Sequence, residues 1–141
     1  ALALDDGSLL TENVALLSFL GDRTGAHAAA PDRYRLLEWL GFISTELHKS
    51  FGPLFHKASP DDTGKAIEKI RARFGFVEDR MKGDFLFGAA FSPADACLYV
   101  LLRWAGTFEI NMGNFPKLRA FQHRMETRTG VIAALKAEGL A

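Results

Sequence analysis

A chain of 141 residues can bury one ordinary hydrophobic core, and 48% hydrophobic against 24% charged content is that of a globular domain rather than a disordered one. Lysine plus arginine number 17 and aspartate plus glutamate number 17, so no field of one sign is available to hold a phosphate backbone, and nucleic acid is not an expected partner. No apolar run reaches the roughly 18–20 residues that span a bilayer, and the single cysteine, Cys97, excludes an internal disulfide and a multi-cysteine zinc site, a pattern that suits the cytoplasm.

The opening is β-like. Residues 1–4 (ALAL) and 8–10 (SLL) form two brief strands around an Asp6-Gly7 turn. Two such strands are not stable alone, and the chain starts in mid-segment without an initiator Met, as a sequence entered partway through would. Unless a neighbour orders this hairpin, its edges are expected to be sticky. From Thr11 the period changes: Val14, Leu17 and Leu20 share a face, which predicts a helix over 12–21 stopped by Gly21. Asp22 to Ala30, rich in small residues, suits a linker.

The remainder is helical. Pro31-Asp32 opens a helix carrying Leu36, Leu40, Ile43 and Leu47, which Pro53 should break or kink. Ser59-Pro60-Asp61-Asp62 supplies a cap, a first-position proline and first-turn acids for a helix running to about Lys82. Ser92-Pro93-Ala94-Asp95 is a capping box with Phe91 as the outer half of a hydrophobic staple. The helix it starts is apolar nearly all round, the mark of burial at the centre of a domain. Pro116 opens another helix with Leu118, Phe121 and Met125, and a last short one holds Val131, Ile132 and Leu135 before Gly139.

In this order the motifs resemble the glutathione transferase family. LDDGSLLTEN (4–13) looks like the end of that family's thioredoxin-like domain, LLEWLGFISTELHKSFGPLF (36–55) like the first helix of its helical domain in the bacterial beta class, and FSPADACLYVLLRWA (91–105) like its buried central helix. The resemblance implies a mainly α fold, a C-terminal helical bundle preceded by a residual β-hairpin and helix. Residues 1–22 would be the remnant of the glutathione-binding domain, 23–30 a linker, and 31–141 the all-α domain. It implies a homodimeric detoxifying transferase conjugating glutathione, as co-substrate, to small hydrophobic electrophiles, with no metal.

By the same resemblance, Glu12 holds the γ-glutamyl amine and Asn13, where Ser is common, helps hold the γ-glutamyl carboxylate. His48 and Lys49 approach the glutathione sulfur, where an N–H donor or cation favours the reactive thiolate. Phe51, Phe55 and Trp104 form the apolar site for the electrophile, and Glu46 reaches the amine of glutathione bound in the partner subunit. In the family the residue that contacts the sulfur lies upstream of Ala1, so residues 1–141 by themselves are expected to be inactive. Cys97 cannot replace it. Gly41 and Arg128-Thr129 depart from the beta-class pattern, where a polar residue and Arg-Pro occur. The competing reading is a non-catalytic, transferase-like interaction module.

Without the resemblance the same residues read differently. Glu12 is a first-turn acid complementing a helix dipole, His48 and Lys49 are solvated positions on an amphipathic helix, and Trp39 and Trp104 are core or interface anchors. Ser92 and Asp95 are explained by the cap, Cys97 behaves as a small buried hydrophobe, and His27, His56 and His123 are too scattered for a metal.

Overall fold

The computed structural model describes residues 1–26, 33–56 and 58–140. It begins with a minimal antiparallel hairpin, β1 (Leu2–Ala3) and β2 (Leu9–Leu10), in which Leu2 pairs Leu10 and Ala3 pairs Leu9. The Asp6-Gly7 signal is used as expected: Gly7 sits at φ 82, the Gly7 N–H donates to the Leu4 carbonyl at 2.9 Å, and Asp6 Oδ1 accepts from the Ser8 N–H at 2.9 Å.

Helix α1 (Asn13–Thr24) runs three residues past Gly21, correcting the predicted stop, so the first residues of the expected linker are helical. Gly21 is buried inside the helix, whose end is set instead by Gly25 at φ 70, the left-handed cap. The Pro31-Asp32 start signal and residues 27–30 of the expected linker lie outside the described residues. Helix α2 (Arg33–Phe42) passes into a π-helical turn (Ile43–Leu47), a 3₁₀ turn (His48–Phe51) and the short α3 (Gly52–Phe55). The predicted break at Pro53 is therefore an upstream change of winding. Pro53 lies in the first turn of α3, where its missing N–H costs nothing, and the Lys49 carbonyl that it would have faced accepts from the Gly52 N–H.

Helix α4 (Pro60–Arg80) is capped by Ser59, whose Oγ accepts from the Asp62 N–H at 3.2 Å, and buries Ile70, Phe74 and Val77 along one face. Helix α5 (Pro93–Thr107) starts at the expected capping box. Asp95 Oδ2 accepts from the Ser92 N–H at 2.8 Å and from the Ser92 hydroxyl, while Oδ1 accepts from the Leu86 N–H at 2.9 Å. One buried carboxylate thus ties the incoming loop to the helix start.

Helix α6 (Pro116–Glu126) is capped from a distance: the Glu78 carboxylate of α4 accepts from the N–H groups of Lys117 and Leu118, each at 2.9 Å. Helix α7 (Thr129–Ala137) closes the described chain with no buried residue of its own.

The core lies among α2 and its continuation, α4, α5 and α6, where Leu40, Leu47, Phe51, Phe74, Leu98 and Phe121 are fully enclosed. Each such side chain contributes about 1.5–3 kcal/mol on burial. Val14 and Leu17 pack α1 against this core, and α5 runs through its middle. The expectation that α5 is buried all round needs one correction: Ala96, Cys97 and Trp104 are only half-buried and Val100 is exposed, leaving a stripe of the helix open. No described helix is long and apolar enough to cross a membrane.

Candidate functional site

Three of the predicted residues, Asn13, His48 and Trp104, converge on the open stripe of α5. A cleft of about 310 Å³ lies between the start of α1, the 3₁₀ turn and α5, lined by Asn13, Leu17, His48, Ala96, Cys97, Val100, Leu101 and Trp104. Asn13 enters from the first turn of α1 and donates from Nδ2 to Cys97 Sγ at 3.2 Å. His48 is brought in by the altered winding of the preceding turn, its ring centroid 5.1 Å from that of Trp104. Trp104 forms one wall and meets Phe55 edge-on at 4.8 Å.

The adjacent pair His48 and Lys49 is split. His48 lines the cleft, whereas Lys49 lines a separate, open groove with His56, Lys65 and Lys69. Phe51 lies beneath the site: it is fully buried and supports Trp104 at a centroid distance of 5.5 Å. Phe55 is half-exposed and extends the aromatic wall into a second groove along α5 and α7. Glu46 stands apart on the π turn, ion-paired with Arg73 of α4 at 3.0 Å.

Glu12 is exposed and takes φ 68, ψ 123 immediately before α1, while its carbonyl accepts from the Leu16 N–H at 2.9 Å. A non-glycine residue in that region costs on the order of 1–3 kcal/mol, and such strain collects where a structure holds a group for use. Nothing in the residue types around Glu12 signals this backbone. Cys97, expected to be a small buried hydrophobe, is a cleft residue that sequence reasoning did not place in the site. It lies on the cleft wall rather than deep in the core, and burial pushes its thiol up from the ordinary value, with the Asn13 amide pulling the other way. The spacing of Ala96, Cys97, Val100 and Trp104 on one helical stripe was available as a signal. A further groove of about 430 Å³, where Trp39, Phe42 and Phe76 cluster beside Arg80, contains none of the candidate residues.

Residues 42–129 match the family model described as glutathione S-transferase, C-terminal domain. Over 147 aligned positions the chain is 39% identical to "Glutathione S-transferase GstA" of Escherichia coli O157:H7, covering 99% of this chain and 73% of that protein. The chain belongs to the glutathione S-transferase family.

Solved structures of transferases agree on the whole described arrangement. A bacterial beta-class glutathione S-transferase from Sphingomonas chungbukensis superposes with a TM-score of 0.89 at 37% identity, over 99% of this chain and 73% of that one. A sphingomonad glutathione S-transferase, solved in complex with glutathione, gives 0.88 at 41% identity over the same shares. The transferase helical domain and the small hairpin before it are thus the fold that the sequence motifs pointed to, and transferase activity is the family's chemistry.

Proposed function

We propose that the cleft between α1, the 3₁₀ turn and α5 is the face on which glutathione and a small apolar electrophile meet, and that the protein joins them through the glutathione sulfur. One observation carries this: residues distant in sequence, Asn13, His48 and Trp104, line one cleft beside the strained Glu12. Glu12 offers a carboxylate to the γ-glutamyl amine, and Asn13 with the free N–H groups opening α1 suits the γ-glutamyl carboxylate. His48 donates toward the sulfur and favours its thiolate. Lys49, in the neighbouring groove, adds positive field without lining the cleft.

In the reaction the thiolate sulfur attacks an electron-poor carbon, the C–S bond forms, and a halide leaves with the bonding pair; the thiol proton goes to solvent. Holding the two reactants together supplies most of the rate. Trp104 and Phe55 face the electrophile, with Phe51 as their support. Glu46 keeps an oxygen for the amine of glutathione in a partner subunit, in a cytoplasmic homodimer where reduced thiols prevail. Residues 1–22 belong in this reading to the glutathione-binding domain, 23–30 to the linker and 31–141 to the helical domain.

The test is the rate of thioether formation from 1-chloro-2,4-dinitrobenzene in the full-length protein, with glutathione varied. Saturable dependence on glutathione is expected, and His48→Ala should lower kcat/KM by about a hundredfold. A rate indifferent to glutathione sinks the reading.

A further inference from the structure

The cleft borders a second space at Trp104. Val100 and Trp104 also line a groove of about 480 Å³ between α5 and α7, so the two spaces share a wall. The groove is apolar along Phe55, Val131, Ala134 and Leu135, but polar side chains of α5 reach it at successive turns, Tyr99, Arg103 and Thr107.

Tyr99 is 5% exposed, and its buried hydroxyl oxygen has no hydrogen-bond partner. Burial pushes the phenol up from its ordinary value, with the Glu126 carboxylate adding to it and the Arg103 guanidinium pulling the other way, so it keeps its proton at neutral pH. Even a guanidinium N–H turned toward the phenol oxygen leaves that proton without an acceptor, because both groups are donors. Arg103 spends one N–H on the Leu140 carbonyl at 3.2 Å, and among the described residues no carboxylate lies within ion-pairing distance of it. Glu138 lines the same groove but is exposed and does not pair with Arg103. A buried donor without an acceptor costs about 1–3 kcal/mol. Here it stands beside a cation with donors to spare.

We infer that the α5–α7 groove receives the far end of the electrophile, and that this end carries a carboxylate held by Arg103 and Tyr99 while the reacting carbon lies in the His48 cleft. The substrate class is an aromatic acid bearing a displaceable halide, with its ring against Trp104 and Phe55. The inference rests on the cleft being the electrophile's reacting site.

Binding can be read without conjugation, through quenching of tryptophan fluorescence in the full-length protein at pH 7. The probes are 4-chloro-3-nitrobenzoate and its neutral counterpart, 4-chloro-3-nitrobenzamide. The acid should bind about tenfold more tightly than the amide, the worth of a charge-assisted hydrogen bond. Arg103→Gln should abolish the difference, Tyr99→Phe should reduce it, and Arg103→Lys should retain most of it, with far-UV circular dichroism confirming that each variant folds. Equal affinity for acid and amide, or a preference that survives Arg103→Gln, overturns the inference. Turnover of 1-chloro-2,4-dinitrobenzene, which has no carboxylate, is run in parallel. Its absence counts against the transferase reading, whereas its presence with equal acid and amide binding counts against the groove alone.

Discussion

Cys97 shows how one contact sets a side chain's chemistry. Its thiol faces the cleft, but burial holds it in the neutral form and only the Asn13 amide at 3.2 Å favours the thiolate. Since the thiolate is the nucleophile, Cys97 should react with iodoacetamide at pH 7.5 more slowly than a free cysteine. Its rate should keep rising to a higher pH than free cysteine's. Asn13→Ala should slow it again, because the one interaction favouring the charged form is gone. Mass spectrometry of the alkylated protein over a pH series checks both. A Cys97 that outpaces free cysteine at neutral pH would mean that a cation, not burial, governs it. Of the candidate residues, Trp104 and His48 were singled out through the family motifs, and both line one cleft. Phe51 was not separable from Phe55 by residue type, and only packing shows that one is enclosed while the other is half-exposed.

At the scale of the element, caps were legible because they are local. Ser59 and Asp62, or Ser92 and Asp95, find each other within one turn, so residue type and spacing decide the outcome. The winding of 43–51 was not legible. Pro53 announces a conflict with regular helix, but whether a kink or a π turn resolves it depends on how Ile43, Leu47 and Phe51 must meet the core. The Asp95 cap also leads to a test. Burial raises its carboxyl above 3.8, against the pull of its hydrogen bonds to Ser92 and Leu86. The folded state therefore holds the proton more tightly than the unfolded chain does. The stability tied to this proton is fully present below about pH 3.8, the unfolded value, and is lost as pH rises through the folded value. Asp95→Asn cannot titrate, so the stability of the natural protein relative to this variant should decline from pH 4 to pH 7 in urea unfolding. A difference that grows with pH would show that the hydrogen bonds outweigh burial. Asp95→Ala, which leaves two buried N–H groups without acceptors, should cost about 2–4 kcal/mol at any pH in that range.

Across the whole molecule, two parts of unequal strength are joined through α1. The helical core is enclosed on all sides by α2 and its continuation, α4, α5 and α6, with α1 seated on it through Val14 and Leu17. The hairpin contributes nothing to that core: its strands are two residues each, and Leu9 is 70% exposed. Local opening is governed by buried apolar contact and by how much backbone pairing water can reach, and an isolated two-stranded hairpin is at best marginal. In a polypeptide of residues 1–141, hydrogen exchange should therefore divide sharply. Amides of Leu2 to Leu10 should exchange within seconds at neutral pH, those of α1 more slowly, and those at Leu98, Leu101 and Leu102 of α5 only through global unfolding. Adding urea should then shift the α5 rates steeply while the hairpin rates stay flat. Protection of the hairpin equal to that of α5 would mean that Leu9 and its neighbours are covered in solution, with a second copy as the occupant to look for. Analytical ultracentrifugation of the same sample would decide that, since covering by another copy requires a concentration-dependent mass.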